Sequence, residues 1–184
     1  MVKEQIISQA SIIVGSGQFS IGSSERVSKI RNLSEAFICS VMEDIFLSVK
    51  WNFAIKNSNV ITSNINVSIF SDSGINDCLK VVSIIPGNVE WYIDNKKLYF
   101  KGKVDRVFYY SDTVLQEVLS YGYNKNLPST YINLCGLSLA SQIAHSMYSD
   151  SVFTDGLKAQ YLRKLDEVKR VHYFDCNIEN AANF

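Results

Sequence analysis

A chain of 184 residues with 47% hydrophobic and 20% charged side chains is long enough for one domain with a real core, or for a helical layer carrying a small inserted sheet. Lys and Arg balance Asp and Glu, and a formal net charge of zero lacks the cationic surplus with which a dedicated nucleic-acid binder displaces phosphate counterions. No window approaches the ~20 apolar residues of a membrane span, and Met1-Val2-Lys3-Glu4 does not lead a cationic segment into an apolar one, so a soluble protein without a cleavable signal is expected. Cys39, Cys78, Cys135 and Cys176 are widely spaced and form no Cys-x-x-Cys, and reduced thiols acting as small hydrophobes are expected, with synthesis inside the cell.

In chain order, Ile6, Ile7, Ala10, Ile13 and Val14 fall on one helical face, and Gly15-Ser16-Gly17 ends that helix. After a turn-rich stretch, Ser24 is placed to cap a helix starting near Glu25, whose carboxylate suits the positive end of the dipole. Ile30, Leu33, Phe37, Val41, Ile45 and Val49 then form a core-facing stripe, with Lys29, Arg31, Glu35, Glu43, Asp44 and Lys50 on the polar side. Trp51 closes the run, a side chain large enough to anchor the junction between helix and strand regions.

Strands are predicted next. Asn64-Ile65-Asn66-Val67-Ser68-Ile69 alternates polar with apolar as a half-buried edge strand does, and residues 78–85 form a stronger apolar run stopped by Pro86-Gly87. Glu90-Trp91-Tyr92-Ile93 and Lys97-Leu98-Tyr99-Phe100 flank Asp94-Asn95-Lys96, which predicts a hairpin, and a further strand over residues 104–110 follows the Lys101-Gly102-Lys103 turn.

Asp112 or Thr113 is placed to cap a short helix carrying Val114, Leu115, Val118 and Leu119. Pro128 precedes a helix with Ile132, Cys135, Leu139, Ile143 and Met147 inward, in which Ala140 and Ala144 admit a close neighbour. The last helix presents Phe153, Leu157, Tyr161, Leu165 and Val168 on one face. Residues 177–184 show no periodicity, so either a frayed end or a tail that orders only against a partner, with Ile178 and Phe184 as its apolar anchors, is expected. The fold class is therefore α+β: a bundle from the N- and C-terminal helices with a small antiparallel sheet inserted. It reads as a single domain over 1–184, with N-terminal helices at 1–52, the β region at 53–111, C-terminal helices at 112–175 and a docking tail at 176–184.

Catalytic and cofactor signals are weak. Gly15-Ser16-Gly17 and Gly22 miss the spacing of a dinucleotide loop and no βαβ unit follows. His145 and His172 lie on different helices without the carboxylate or thiolate spacing of a metal site. Asp150, Asp155, Asp166 and Glu167 read as caps and solvated faces. Lys101, Lys103 and Arg106 lie near Tyr99, Phe100, Phe108, Tyr109 and Tyr110, a pattern that could stack on nucleic acid but reads better as a hairpin with a basic tip. No catalytic residue, metal or cofactor is expected.

Order and spacing carry more. A short helix, a long helix closed by Trp51-Asn52-Phe53-Ala54, a strand opened by Asp77-Cys78-Leu79-Lys80-Val81, an aromatic hairpin over 90–100 and a final helical pair over 128–175 follow one another. That succession resembles the head-to-tail adaptors of short-tailed bacteriophages, the tail tubular protein A family. Leu139-Ala140 and Ile143-Ala144 resemble the family's Leu-Ala pairs, and Tyr161, Leu165 and Asp175 its terminal helix. The chain departs from the family at Ser73-Gly74-Ile75-Asn76, where Leu-Pro is usual, and in lacking an Ala near residues 168–170.

The resemblance implies a structural virion protein of a podovirus, located in the neck and passing through the host cytoplasm during assembly. It implies a homo-oligomeric ring, a dodecamer, below the portal protein, which extends the channel for DNA ejection and supports the tail nozzle or tube protein. Genomic DNA would pass through the lumen without sequence-specific binding, which needs no surplus of cations, and no membrane is involved. Cys176, Asn177, Ile178, Glu179, Asn180 and Phe184 are the expected portal-binding residues. Asp94, Asn95 and Lys96 are the expected contact with the tail or a neighbouring subunit. Trp51, Phe53, Ala54, Asp77, Cys78 and Leu79 form the structural motif. The alternatives are a cellular interaction module or assembly chaperone outside any particle, and a small enzyme that gathers a histidine and carboxylates in one pocket.

Overall fold

The computed structural model describes residues 2–15, 24–59, 77–94, 97–120, 127–148 and 151–181, with backbone alone for Asp94, Lys97 and residues 172–181. Helices α1 (Val2–Gly15) and α2 (Ser24–Ser48) lead into a 3₁₀ turn at Asn52–Ala54. Strands β1 (Ile55–Asn59), β2 (Cys78–Ile85), β3 (Glu90–Asp94), β4 (Lys97–Lys101) and β5 (Arg106–Ser111) follow. Helices α3 (Asp112–Leu119), α4 (Ser129–Met147) and α5 (Ser151–Ala181) complete the chain, and the class is α+β as expected. Two compact units result, one from residues 1–50 with 118–184 and the other from residues 51–117. The division falls inside α3, whereas the sequence suggested a boundary ahead of it.

In the helical unit α4 packs against α1, α2 and α5. Tyr131, Leu134, Cys135, Gly136, Ser138, Leu139, Ala140, Ile143 and Ala144 are all buried, so α4 is enclosed on most of its circumference rather than along one stripe. The single inward face predicted for it is therefore too narrow; Ile132 and Met147 are only half-buried flanks. Ala140 and Ala144 are fully buried, consistent with close helix neighbours. On α2 the buried line is Ile30, Ser34, Ile38, Val41, Met42, Ile45 and Phe46, rotated from the predicted stripe, with Leu33 and Phe37 half-buried beside it. Ser34 fits the core because its hydroxyl donates to the Ile30 carbonyl one turn back at 2.8 Å, which satisfies the only polar group it brings. The Tyr131 hydroxyl likewise donates to the Met42 carbonyl at 2.7 Å.

The β unit holds a three-stranded antiparallel sheet in the order β1-β5-β2 and a β3-β4 hairpin. Strand β1, which directly follows the Trp51 turn, was not anticipated: Lys56, Asn57, Ser58 and Asn59 lack the β-branched signal, and pairing with β5 from Ile55↔Tyr110 to Asn59↔Arg106 imposes the strand. The predicted strand at 64–69 lies outside the described residues. Register shifts in β2 between Val81 and Ser83 bring Val81 and Ile84, three apart, to the same buried face, which plain alternation would forbid. The hairpin appears as predicted, from Glu90↔Lys101 to Asp94↔Lys97. Leu98 and Phe100 of β4 pack with Val81, Ile84, Val104, Val107 and Tyr109 in one core. Gly102, with φ of 128°, turns the chain from β4 toward β5 in a region where a side chain would be strained.

Gly136 of α4 lies directly against Gln9 of α1. A Cβ added there would lie 3.2 Å from Gln9 Cβ and 2.8 Å from Gln9 Oε1. Gly136→Ala should lower stability by about 1–3 kcal/mol through overpacking, read as a fall in denaturation midpoint. Gln9→Ala in the same chain removes the contact with Oε1 but keeps that with Cβ, so it should recover part of the loss, and an undiminished loss would place the crowding on the Cβ contact.

Candidate functional site

The Trp51 and Asp77 motifs both lie in the β unit. Trp51 is fully buried, its carbonyl accepts the Ala54 N–H at 3.0 Å to close the 3₁₀ turn, and its ring lies 5.8 Å from that of Phe53. The turn leads directly into β1 at Ile55.

Asp77 stands one residue before β2. Its carboxylate accepts the Lys56 ammonium of β1 at 2.8 Å and the Ser111 hydroxyl at the end of β5 at 2.5 Å, with a further hydrogen bond from Thr113 of α3. Its backbone carbonyl accepts the Asp112 N–H at 2.6 Å. Ser111 is fully buried, and its oxygen accepts the Val114 N–H at 3.3 Å, which makes it the N-cap of α3. The cap therefore sits one residue upstream of the predicted Asp112 or Thr113, because the Ser111 hydroxyl both donates to Asp77 and receives the helix amide. Partial burial alone would raise the Asp77 pKa, but the hydrogen bonds from Lys56, Ser111 and Thr113 and the Lys56 charge outweigh it and bring the value down to about 2. Burial and the neighbouring carboxylate push the Tyr109 hydroxyl up to about 12 and the Cys78 thiol up to about 11. These shifts keep Asp77 ionised and Tyr109 and Cys78 protonated at neutral pH, so the cluster joins β1, β2, β5 and α3 through the Asp77 carboxylate.

The hairpin presents the unit's outward chemistry. Trp91, Tyr92 and Ile93 are 39%, 57% and 48% exposed in consecutive positions of β3, which leaves apolar surface on both faces of that strand. Tyr92 stacks on Tyr99 with ring centroids 5.0 Å apart, and Lys101 pairs with Glu90 at 3.0 Å in solvent. Of the expected contact residues, Asp94 ends β3, while Asn95 and Lys96 lie outside the described residues. The exposed triplet beside them carries more apolar surface, and its signal in the sequence was a strand with large apolar side chains in both alternating registers.

At the C-terminus, Cys176, Asn177, Ile178, Glu179 and Asn180 continue α5, which runs to Ala181, and Phe184 lies outside the described residues. The stretch expected to lack regular structure from residue 177 onward is instead helical through Ala181. Uninterrupted by Pro or Gly after Gly156, α5 propagates beyond its apolar stripe.

The helical unit carries a groove of about 480 Å³ lined by Phe37, Gln142, His145, Asp155, Lys158 and Tyr161 among others. It brings His145 and Asp155 to one lining, both exposed. Several surrounding hydroxyls are already engaged: Ser146 donates to the Gln142 carbonyl at 3.0 Å, Thr154 to the Ser151 carbonyl at 3.1 Å, and Ser138 pairs with Tyr161. No group of three or more His, Cys, Asp or Glu suited to a metal ion occurs among the described residues. Cys39 is exposed and accepts from Lys3 Nζ at 3.4 Å, against the expectation of a core thiol, whereas Cys135 is buried. Among the described residues no helix is long and apolar enough to cross a membrane.

No protein-family profile matches the chain, and a comparison with characterised proteins finds no significant match.

The Asp77 cluster yields a pH test with a fixed sign. The folded-state pKa lies below the ordinary value of 3.8, so the carboxylate stabilises the fold above about pH 4, and that stability is lost as pH falls toward 2. Asp77→Asn should cost about 2 kcal/mol at pH 7, measured by denaturant titration, and the gap between variant and native chain should close between pH 4 and 2. A gap independent of pH would mean that the carboxylate's charge is not what holds the cluster.

Proposed function

We propose that this chain is the head-to-tail adaptor of a short-tailed bacteriophage, a structural virion protein rather than an enzyme. It forms a closed ring below the portal protein, continues the DNA channel and carries the next tail component. The observation that carries this reading is the role of the two most specific motifs. Trp51-Asn52-Phe53-Ala54 and Asp77-Cys78 build one compact unit, the first as its buried entry turn and the second as its polar hub. Residues in such positions define a scaffold. The exposed Trp91-Tyr92-Ile93 strand supports the reading from the other side, since an assembly subunit needs apolar surface that remains uncovered until it meets partners.

The portal-binding element is the end of α5 from Cys176 onward, presented as helix through Ala181. The hairpin end at Asp94, Asn95 and Lys96 faces the tail component or a neighbouring subunit. Ligand chemistry in the groove of His145 and Asp155 is the second reading, favoured by their shared lining. Their exposure weighs against it, because an acid–base pair in open solvent lacks the dry surroundings that tune such groups.

Electron microscopy of the protein mixed with the portal protein of the same source tests the proposal. A ring stacked on the portal is expected. A monomer that ignores the portal, together with turnover or tight ligand binding lost in His145→Ala, would move the assignment to the groove. Deleting residues 178–184 should abolish stacking on the portal while leaving the circular dichroism spectrum and thermal midpoint near native values, and retained stacking would remove the end of α5 from the interface.

A further inference from the structure

The hairpin can be extended on one side only. Leu98 and Phe100 of β4 are each 1% exposed and packed in the core of the β unit, so that side is closed by the protein itself. Trp91, Tyr92 and Ile93 of β3 are all exposed, and among the described residues β3 pairs with β4 alone. An open cleft of about 460 Å³ lies against β3, lined by Val89, Glu90, Trp91, Tyr92 and Lys101. Its lining takes consecutive residues of the chain, which belong to both faces of the hairpin, as space beside a strand edge does.

Backbone geometry makes that edge receptive. Two residues join the strands, so Asp94 and Lys97 are the closing pair that exchanges its hydrogen bonds within the hairpin. Alternation from that pair gives Glu90 and Tyr92 to the hairpin's own ladder and directs the N–H and C=O groups of Trp91 and Ile93 away from β4. Outward donors and acceptors beside exposed apolar side chains are what an added strand recognises. Trp91 and Ile93 share one face of the hairpin, so such a strand would cover both with the residues it sets opposite them.

Charge selects the kind of strand. Strand β3 reads Glu90-Trp91-Tyr92-Ile93-Asp94, with an acid at each end. Against an added antiparallel strand, positions 90 and 94 fall in the pairs that exchange no hydrogen bonds, where side chains stand closest. A base opposite each acid continues the order of the hairpin, which already sets Lys101 against Glu90 at 3.0 Å and Lys97 opposite Asp94 in register. Each acid then lies between two bases. An acid in the added strand would instead oppose a like charge, which destabilises a strand pair. A second copy of β3 is disfavoured on the same ground, since antiparallel pairing of two such strands gathers all their acids along one seam.

We propose that the free edge of β3 docks an extended segment of a partner protein, added antiparallel, with Lys or Arg opposite Glu90 and Asp94 and apolar residues opposite Trp91 and Ile93. In sequence that segment reads base, apolar, any residue, apolar, base. The contact goes beyond the adaptor reading and does not depend on it. In an adaptor the segment belongs to the tail component or to a neighbouring subunit.

Fluorescence anisotropy of a labelled peptide, Thr-Lys-Val-Thr-Val-Lys-Thr, titrated with the full chain tests the contact. Two controls accompany it, an acidic analogue with Glu for both Lys and a basic one with Pro for the second Val. The basic peptide should bind saturably with a Kd below about 1 mM. The acidic analogue should bind at least about tenfold more weakly. The proline peptide keeps the charges but lacks an N–H that β3 would accept, and its binding should be lost. In the protein, Glu90→Gln with Asp94→Asn should remove the preference for the basic peptide, and Ile93→Pro, which deletes an outward N–H while sparing the hairpin's own bonds, should weaken binding at least about tenfold. Equal binding of the basic and acidic peptides, undiminished binding of the proline peptide, or no binding up to about 1 mM overturns the proposal. Should Ile93→Pro fail to fold, the proline peptide gives the same reading on the native chain. Self-association of the native chain that Ile93→Pro abolishes would assign the edge to a second copy and overturn the partner named here. Stacking on the portal without peptide binding keeps the adaptor reading and loses this contact, and peptide binding by a chain that ignores the portal does the reverse.

Discussion

Asp77 receives hydrogen bonds from Lys56, Ser111 and Thr113, which belong to a first strand, a last strand and a helix that the chain visits across more than fifty residues. Its carbonyl also takes the first amide of that helix. The β unit spans residues 51–117, a size at which apolar burial alone leaves a fold marginal, so the polar hub at one end of the sheet matters disproportionately. Removing the charge leaves the Lys56 ammonium and the Ser111 hydroxyl without their shared acceptor, which costs more than the lost attraction. The start of β2, the end of β5 and the cap of α3 are thus fixed relative to one another by one side chain.

The apolar half of the same unit is arranged around β5. It is central in the sheet, its register with β2 is shifted twice, and those shifts bring Val81 and Ile84 to the face that receives Leu98 and Phe100. Since β4 supplies the core residues, β3 lies outside them and keeps Trp91 and Ile93 partly in solvent. The exposed apolar strand follows directly from which hairpin arm was used to build the core.

Much of this was legible in the sequence where one period dominates. The hairpin, residues 78–85, α1 and the described part of the α5 stripe follow alternating or helical spacing closely enough that the structure differs mainly at their edges. The misses have physical causes. Strand β1 has a polar sequence and exists because β5 needs a partner on that side. The buried face of α2 includes Ser34, which a hydropathy stripe passes over because the sequence does not show that its hydroxyl will turn back on Ile30. Ser111 caps α3 in preference to Asp112, a choice decided by Asp77 from thirty-four residues away. Even the Asp77 motif, visible as a pattern, gave no sign that it was a hub until Lys56 and Ser111 were brought to it.

Polar chemistry inside both units is consumed by the fold. Among the described residues the buried polar side chains Ser34, Ser111, Ser138 and Thr154 each have a partner in the backbone or in a neighbouring side chain. A protein organised this way keeps its unused bonding capacity at the surface, in strand edges and apolar side chains. On β3 and β4 that capacity is also sorted by sign, acids on one edge and bases on the other.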